Sequence, residues 1–120
     1  MTVHVHAFEA HEGGAFRISL TYEAATGTGK TDPRTDTYQG HFAKLVTDTQ
    51  VIEMVEFETS DPAFQGVMTI TTTLSDAPGG TDVLVEHDGI PRGVSPVDNE
   101  TGTSMSLAKL AQLVERGSLP

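Results

Sequence analysis

Cysteine is absent from the 120 residues of this chain, and so is tryptophan. Without cysteine there are no disulfides, thiolate metal sites or thiol nucleophiles, and the chain suits a reducing cytosol. Basic residues are scarce: Lys plus Arg number 7 against 17 Asp plus Glu, a net charge of −10 with neutral His. A nucleic-acid binder needs a basic stripe to displace counterions, and none is present. Anionic membrane surfaces are disfavoured for the same reason. No apolar run reaches transmembrane length, and the N-terminus lacks the basic and apolar regions of a signal peptide. The expectation is a soluble, cytoplasmic protein with neither nucleic acid nor membrane as partner.

What is present points to one folded domain over residues 1–120. Hydrophobic residues make up 37% and charged residues 20%, the balance of a globular chain. A chain of this size buries roughly 65% of its unfolded surface, enough for a core without staples. Threonine is over-represented at 17 residues, including Thr71, Thr72 and Thr73. Its stiff, branched side chain favours strands.

Period-two alternation predicts six strands. The first covers Thr2 to Ala10, where valines and histidines alternate. Gly13-Gly14 turns the chain into the clearest strand, with Phe16, Ile18, Leu20 and Tyr22 on one side. Gly27, Gly29, Asp32 and Pro33 mark a longer hairpin loop. Thr35 to Val46 alternates again, and Gly40 inside it implies a bulge or a close approach. Val51 to Glu58 is a further strand of ambiguous facing, because both phases carry Glu. Asp61-Pro62 ends it. Gly66 to Leu74 sets Met68, Ile70, Thr72 and Leu74 on one side, and after Pro78-Gly79-Gly80, Thr81 to Asp88 does the same with Val83, Val85 and His87.

The C-terminus switches period. Leu107, Leu110, Ala111 and Val114 form a helical stripe. Ser95 suits the N-cap, Pro96 the first helical position, and Asp98 follows Ser95 by three. Asp98 and Glu100 favour the positive end of the helix dipole, Lys109 and Arg116 the negative end. Gly117 and Pro120 suit the stop. A helix over about 96–116 follows. Six strands joined by short turns and then one helix make an α+β fold, an antiparallel sheet covered on one face by the helix. The expected core is Phe16, Ile18, Leu20, Met68, Ile70, Val83, Val85, Leu107, Leu110 and Val114.

Three chemical motifs are weak. Ala24 to Thr31 fits a relaxed phosphate-loop pattern, but Pro33 and the alternation from Thr35 put a strand where that chemistry needs a helix. His4 and His6 point to one side of a strand, and two imidazoles are too few for a metal site unless His11, His41 or His87 joins them. No metal and no cofactor is expected. His87 faces inward at a strand end, where it serves as a structural hydrogen-bonder, a polar group of a ligand pocket or a catalytic base. No nucleophile elbow occurs, and no paired carboxylates stand out.

The segments F-R-I-S-L-T-Y at 16–22, T-D-T-Y-Q-G-H-F at 35–42, V-E-F-E-T at 55–59 and M-T-I-T-T-T-L at 68–74 run in a distinctive order. V-L-V-E-H-D-G-I-P at 83–91, G-V-S-P-V-D-N-E at 93–100 and S-L-A-K-L-A-Q-L-V-E at 106–115 continue it. Together they resemble bacterial SRPBCC (START-like) proteins of the activator of heat-shock protein 90 ATPase family, C-terminal-domain type. The resemblance covers nearly the whole chain. It implies a helix-grip fold, a curved antiparallel sheet of six strands packed on one long C-terminal helix, with a cavity for apolar small molecules commonly between them. The motifs are fold motifs rather than catalytic ones. Family members usually carry a leading strand and two short helices before the segment that begins here at Thr2, so an N-terminally truncated domain is expected. Many relatives have Trp where this chain has Thr103, after Asn99-Glu100-Thr101-Gly102.

The expected function is binding of a hydrophobic or amphipathic small molecule. The cavity residues would be Phe16, Ile18, Leu20, Tyr38, Phe42, Met68, Ile70, Val85, His87, Thr103 and Leu107. The alternatives are a chaperone partner whose ATPase is stimulated, and an enzyme of cyclase or hydrolase type whose candidates are Tyr38 and His87 lining the cavity. Because the helix-grip first strand lies beside the last, Thr81–Asp88 would be a bare edge. That makes a homodimer, through this edge or the open cavity mouth, a further expectation.

Overall fold

Strand-forming alternation is realised almost residue for residue. In the computed structural model, which describes residues 2–21 and 35–115, the strands are β1 (Thr2–Phe8), β2 (Ala15–Thr21), β3 (Thr35–Val46), β4 (Gln50–Phe57), β5 (Met68–Ala77) and β6 (Gly80–Asp88). They form one curved sheet in the order β1-β2-β3-β4-β5-β6, every neighbour antiparallel. The three- and two-residue links of β3–β4 and β5–β6 dictate antiparallel pairing there, since a tight turn can join only antiparallel neighbours; the β2–β3 and β4–β5 connections are longer. Pro78 and Gly79 make the two-residue link between β5 and β6, with Gly79 at φ 76°, the order favoured at the centre of a type II turn. A one-turn 3₁₀ helix, Pro62–Phe64, was not foreseen; Asp61 caps it by accepting from the Ala63 amide at 2.9 Å.

The register sorts the side chains. Across the middle of the sheet Phe8, Phe16, Gly40, Val55 and Met68 lie in one row. Phe16, Val55 and Met68 are buried, and so is Phe42 of the neighbouring row; Tyr38, Leu45, Val51 and Ile70 pack round this nucleus. Gly40 answers its expectation as a close approach rather than a bulge. A β-carbon there would lie 1.9 Å from the Met54 carbonyl oxygen and 2.9 Å from the tip of the Phe16 ring. The register irregularities fall instead between Val5 and Ala7 and between Phe42 and Lys44.

The helix, α1 (Pro96–Glu115), starts where the capping residues place it. The Asp98 amide reaches the Ser95 hydroxyl at 3.3 Å and the Asn99 amide the Ser95 carbonyl at 2.9 Å. Its half-buried residues are Asn99, Thr103, Leu107 and Ala111, a ridge spaced by four. Leu110 and Val114 correct the expected core: they stay 44% and 47% exposed, and Val83 stays 38% exposed. An apolar stripe is buried only where a partner surface meets it, and no described part of the sheet meets this end of the stripe. Tyr22, the expected loop and phosphate-loop-like run at 24–33, and the helix-stop residues 116–120 lie outside the described residues.

Candidate functional site

The inner face of the sheet is the side that meets α1. Strand alternation puts Val3, Val5 and Phe8 of β1 there, with Phe16, Ile18 and Leu20 of β2, Tyr38 and Phe42 of β3, and Val51, Glu53, Val55 and Phe57 of β4. β5 and β6 add Met68, Ile70, Thr72, Val85 and His87. All nine sheet residues expected to line a cavity therefore share one face, and Thr103 and Leu107 belong to the half-buried helix ridge that starts at Asn99, the residue tied to His87. Phe16, Phe42 and Met68 are buried, and the remaining eight are half-buried.

Much of this surface is uncovered. Val3, Val5 and Phe8 are more than half exposed, as is Met105 of the helix, while Leu110, Leu113 and Val114 are 44–47% exposed. Two hollows, of about 460 and 400 Å³, lie away from the expected cavity. The first runs along the flank of α1 between Val97 and Ala108. The second sits at the turn end of the sheet among Asp48, Thr49 and Asp76. Neither lies between sheet and helix.

Polar groups interrupt the apolar face at three places. His87 Nδ1 accepts a 2.9 Å hydrogen bond from Asn99 Nδ2, tying β6 to the first turn of α1. Burial holds the His87 ring below its ordinary pKa. Tyr38 packs edge-on against Phe16, with ring centroids 6.3 Å apart. Burial, and then the charge of Glu53, push its phenol up. The third group is Glu53, which sequence reasoning missed. Its carboxyl is pushed up by burial. The signal was present in β4: the phase Val51, Glu53, Val55, Phe57 is the more apolar of the two.

Phe42, Glu53, Ile70 and His87 form one cross-strand row. Tyr38 lies four residues along β3 from that row. With strands about 4.8 Å apart and about 3.3 Å per residue, the Tyr38 and His87 backbones are separated by roughly 14 Å across the sheet and roughly 13 Å along it. Tyr38 and His87 therefore share the inner face without lying close to one another.

The outer face carries a separate polar network. The His4 and His6 rings sit 4.3 Å apart. His6 Nε2 is 2.8 Å from the Ser19 hydroxyl, which is 2.7 Å from that of Thr37. Arg17 donates two hydrogen bonds to Glu58, at 2.5 and 2.8 Å. Both histidines are exposed on the outer face, and His6 also hydrogen-bonds a buried serine. Among the described residues no group of three or more His, Asp or Glu is placed to hold a metal ion. No described helix is long and apolar enough to cross a membrane.

The comparisons agree with this architecture. Residues 1–115 match the family described as activator of Hsp90 ATPase homolog 1-like protein, and the chain belongs to that family. The crystal structure of protein CV1439 from Chromobacterium violaceum is similar, with a TM-score of 0.76 and 25% sequence identity over 92% of this chain and 70% of that one. No match is found among curated proteins.

Proposed function

We propose that this chain binds an apolar or amphipathic small molecule on the inner face of its sheet, beside α1. The observation that carries the reading is the exposure of that face. Val3, Val5 and Phe8 stand uncovered next to a buried aromatic nucleus, and polar handles at Tyr38, Glu53, His87 and Thr103 lie at defined points around it. Binding sites for small molecules combine such an apolar lining with a few placed polar groups. The expected cavity residues, from Phe16 to Leu107, would form the floor and the helix side of the site. Calorimetric titration with lipids, sterols and aromatic metabolites, with hydrogen exchange read on β1–β3, tests it. Saturable binding that protects the inner face is expected; no binding across the panel would sink the reading.

A second reading is favoured by the family match: stimulation of a chaperone ATPase through contact with the chaperone. An ATPase assay on an Hsp90-type chaperone, with and without this protein, separates the two. Stimulation insensitive to inner-face substitutions would favour the chaperone role.

A further inference from the structure

Glu53 stands in the middle of the apolar cluster. Val51 and Val55 flank it on its own strand, and Phe42 and Ile70 face it from the strands on either side. Among the described residues no hydrogen bond reaches its carboxyl, and none reaches the Tyr38 hydroxyl on the same face. Glu53 is half-buried, so its carboxylate keeps some water but loses part of its hydration to the apolar neighbours, a cost that a positive group brought to it would offset.

The described part of the chain does not supply that group. Arg17 and Lys44 project from the outer face, since they pair with Gln39 and Ile52 in the outward phase. Arg92 lies in the connection before α1, and Lys109 is exposed, off the helix ridge that meets the sheet. His87 shares the row of Glu53 but is kept toward its neutral form by burial and is engaged by Asn99. The other inner-face acids differ from Glu53: Asp36 is buried and has an interaction partner, and Asp76 stands exposed at the turn end.

Resting on the ligand-binding reading above, we infer that the inner face selects an amphiphile with a cationic head, such as an alkylammonium, whose charge pairs with Glu53 while its apolar body covers Phe42, Ile70 and the exposed β1 side chains. The raised pKa of Glu53 is what an acid without its counter-charge shows, and bringing a cation to it relieves the burial penalty. A fatty carboxylate meets the opposite situation: like charge at the centre of the site and, among the described residues, no cation on that face to offset it.

The test uses three ligands with one tail and different heads: dodecylammonium, dodecyl maltoside and dodecanoate. Each is titrated below its micelle concentration into the full chain, Glu53→Gln and Glu86→Gln at physiological ionic strength. Glu86 is exposed on the outer face, so its variant removes the same charge elsewhere. The full chain should bind dodecylammonium roughly tenfold or more tighter than dodecanoate, the worth of one charge-assisted hydrogen bond. Glu53→Gln should lose most of that preference and keep the maltoside, while Glu86→Gln behaves as the parent. Binding of all three alike, or an equal loss in Glu86→Gln, overturns the head-group inference and leaves the ligand-binding reading standing. Failure of all three to bind the full chain overturns both.

Discussion

Asn99, in the first turn of α1, donates to the Nδ1 atom of His87 at the end of β6, 2.9 Å away. With Nδ1 accepting, the ring proton is assigned to Nε2. This is a polar tie between helix and sheet, formed where the helix ridge begins. The ridge continues through Thr103, whose hydroxyl returns to the Asn99 carbonyl at 2.9 Å.

Protonating His87 should therefore loosen the helix. Its folded pKa lies below the ordinary 6.5, mainly through burial. The unfolded chain then binds more protons, so stability is present above pH 6.5 and is lost as pH falls from 6.5 through the folded value. His6 is lowered in the same direction, by partial desolvation and the charge of Arg17. Denaturant unfolding from pH 8 to 5 should show this decline; His87→Gln should flatten part of it and His6→Gln another part. Asn99→Ala should cost about 1 kcal/mol and increase amide exchange in α1.

Glu53 has the opposite sign. Its folded pKa lies above the ordinary 4.5. The fold is penalised once the unfolded carboxyl ionises, so stability is lost as pH rises from 4.5 through the folded value. Glu53→Gln should stabilise the ligand-free protein at neutral pH by about 1 kcal/mol, and the gain should vanish below pH 4.5. A destabilised variant at pH 7 would show that the carboxylate has a favourable partner.

Leu107 and Leu110 separate ridge from stripe. Leu107→Ala should cost about 1–2 kcal/mol, part of the value for a fully buried leucine, and Leu110→Ala under about 1 kcal/mol. Equal losses would mean that the helix lies flat on the sheet. Gly40→Ala should be far worse than either, because its added carbon meets backbone within 1.9 Å; chemical denaturation of the three variants gives the ranking.

Self-association should run through the inner face rather than the β6 edge. Pairing β6 with a second antiparallel β6 about Leu84 would set Asp82 against Glu86, and like charges opposed across strands repel. The exposed Val3, Val5 and Phe8 carry no such guard. Sedimentation should show an association that Val5→Glu abolishes and Leu84→Lys, which would oppose two lysines in a β6–β6 pair, does not. An association lost only in the β6 variant would reverse the assignment.

Local chemistry determined the elements of this protein. Period-two alternation placed all six strands, tight turns paired β3 with β4 and β5 with β6, and Ser95-Pro96 set the start of α1, because strand pleat, turn geometry and capping depend on neighbours in sequence. The sharing of one face by Phe16, Tyr38, Ile70 and His87 was legible for the same reason. Tertiary structure decided the rest. The stripe at Leu107–Val114 does not say how much of itself will find a surface, and Leu110 and Val114 stay 44% and 47% exposed. Each phase of β4 carries glutamate; the more apolar phase hinted at the inward side, and pairing with Phe42 and Ile70 set Glu53 there. The Asn99–His87 tie joins a helix to the strand before it across a connection whose path no local propensity dictates. Burial and charge pairing are properties of surfaces brought together, and a sequence states only what each surface offers.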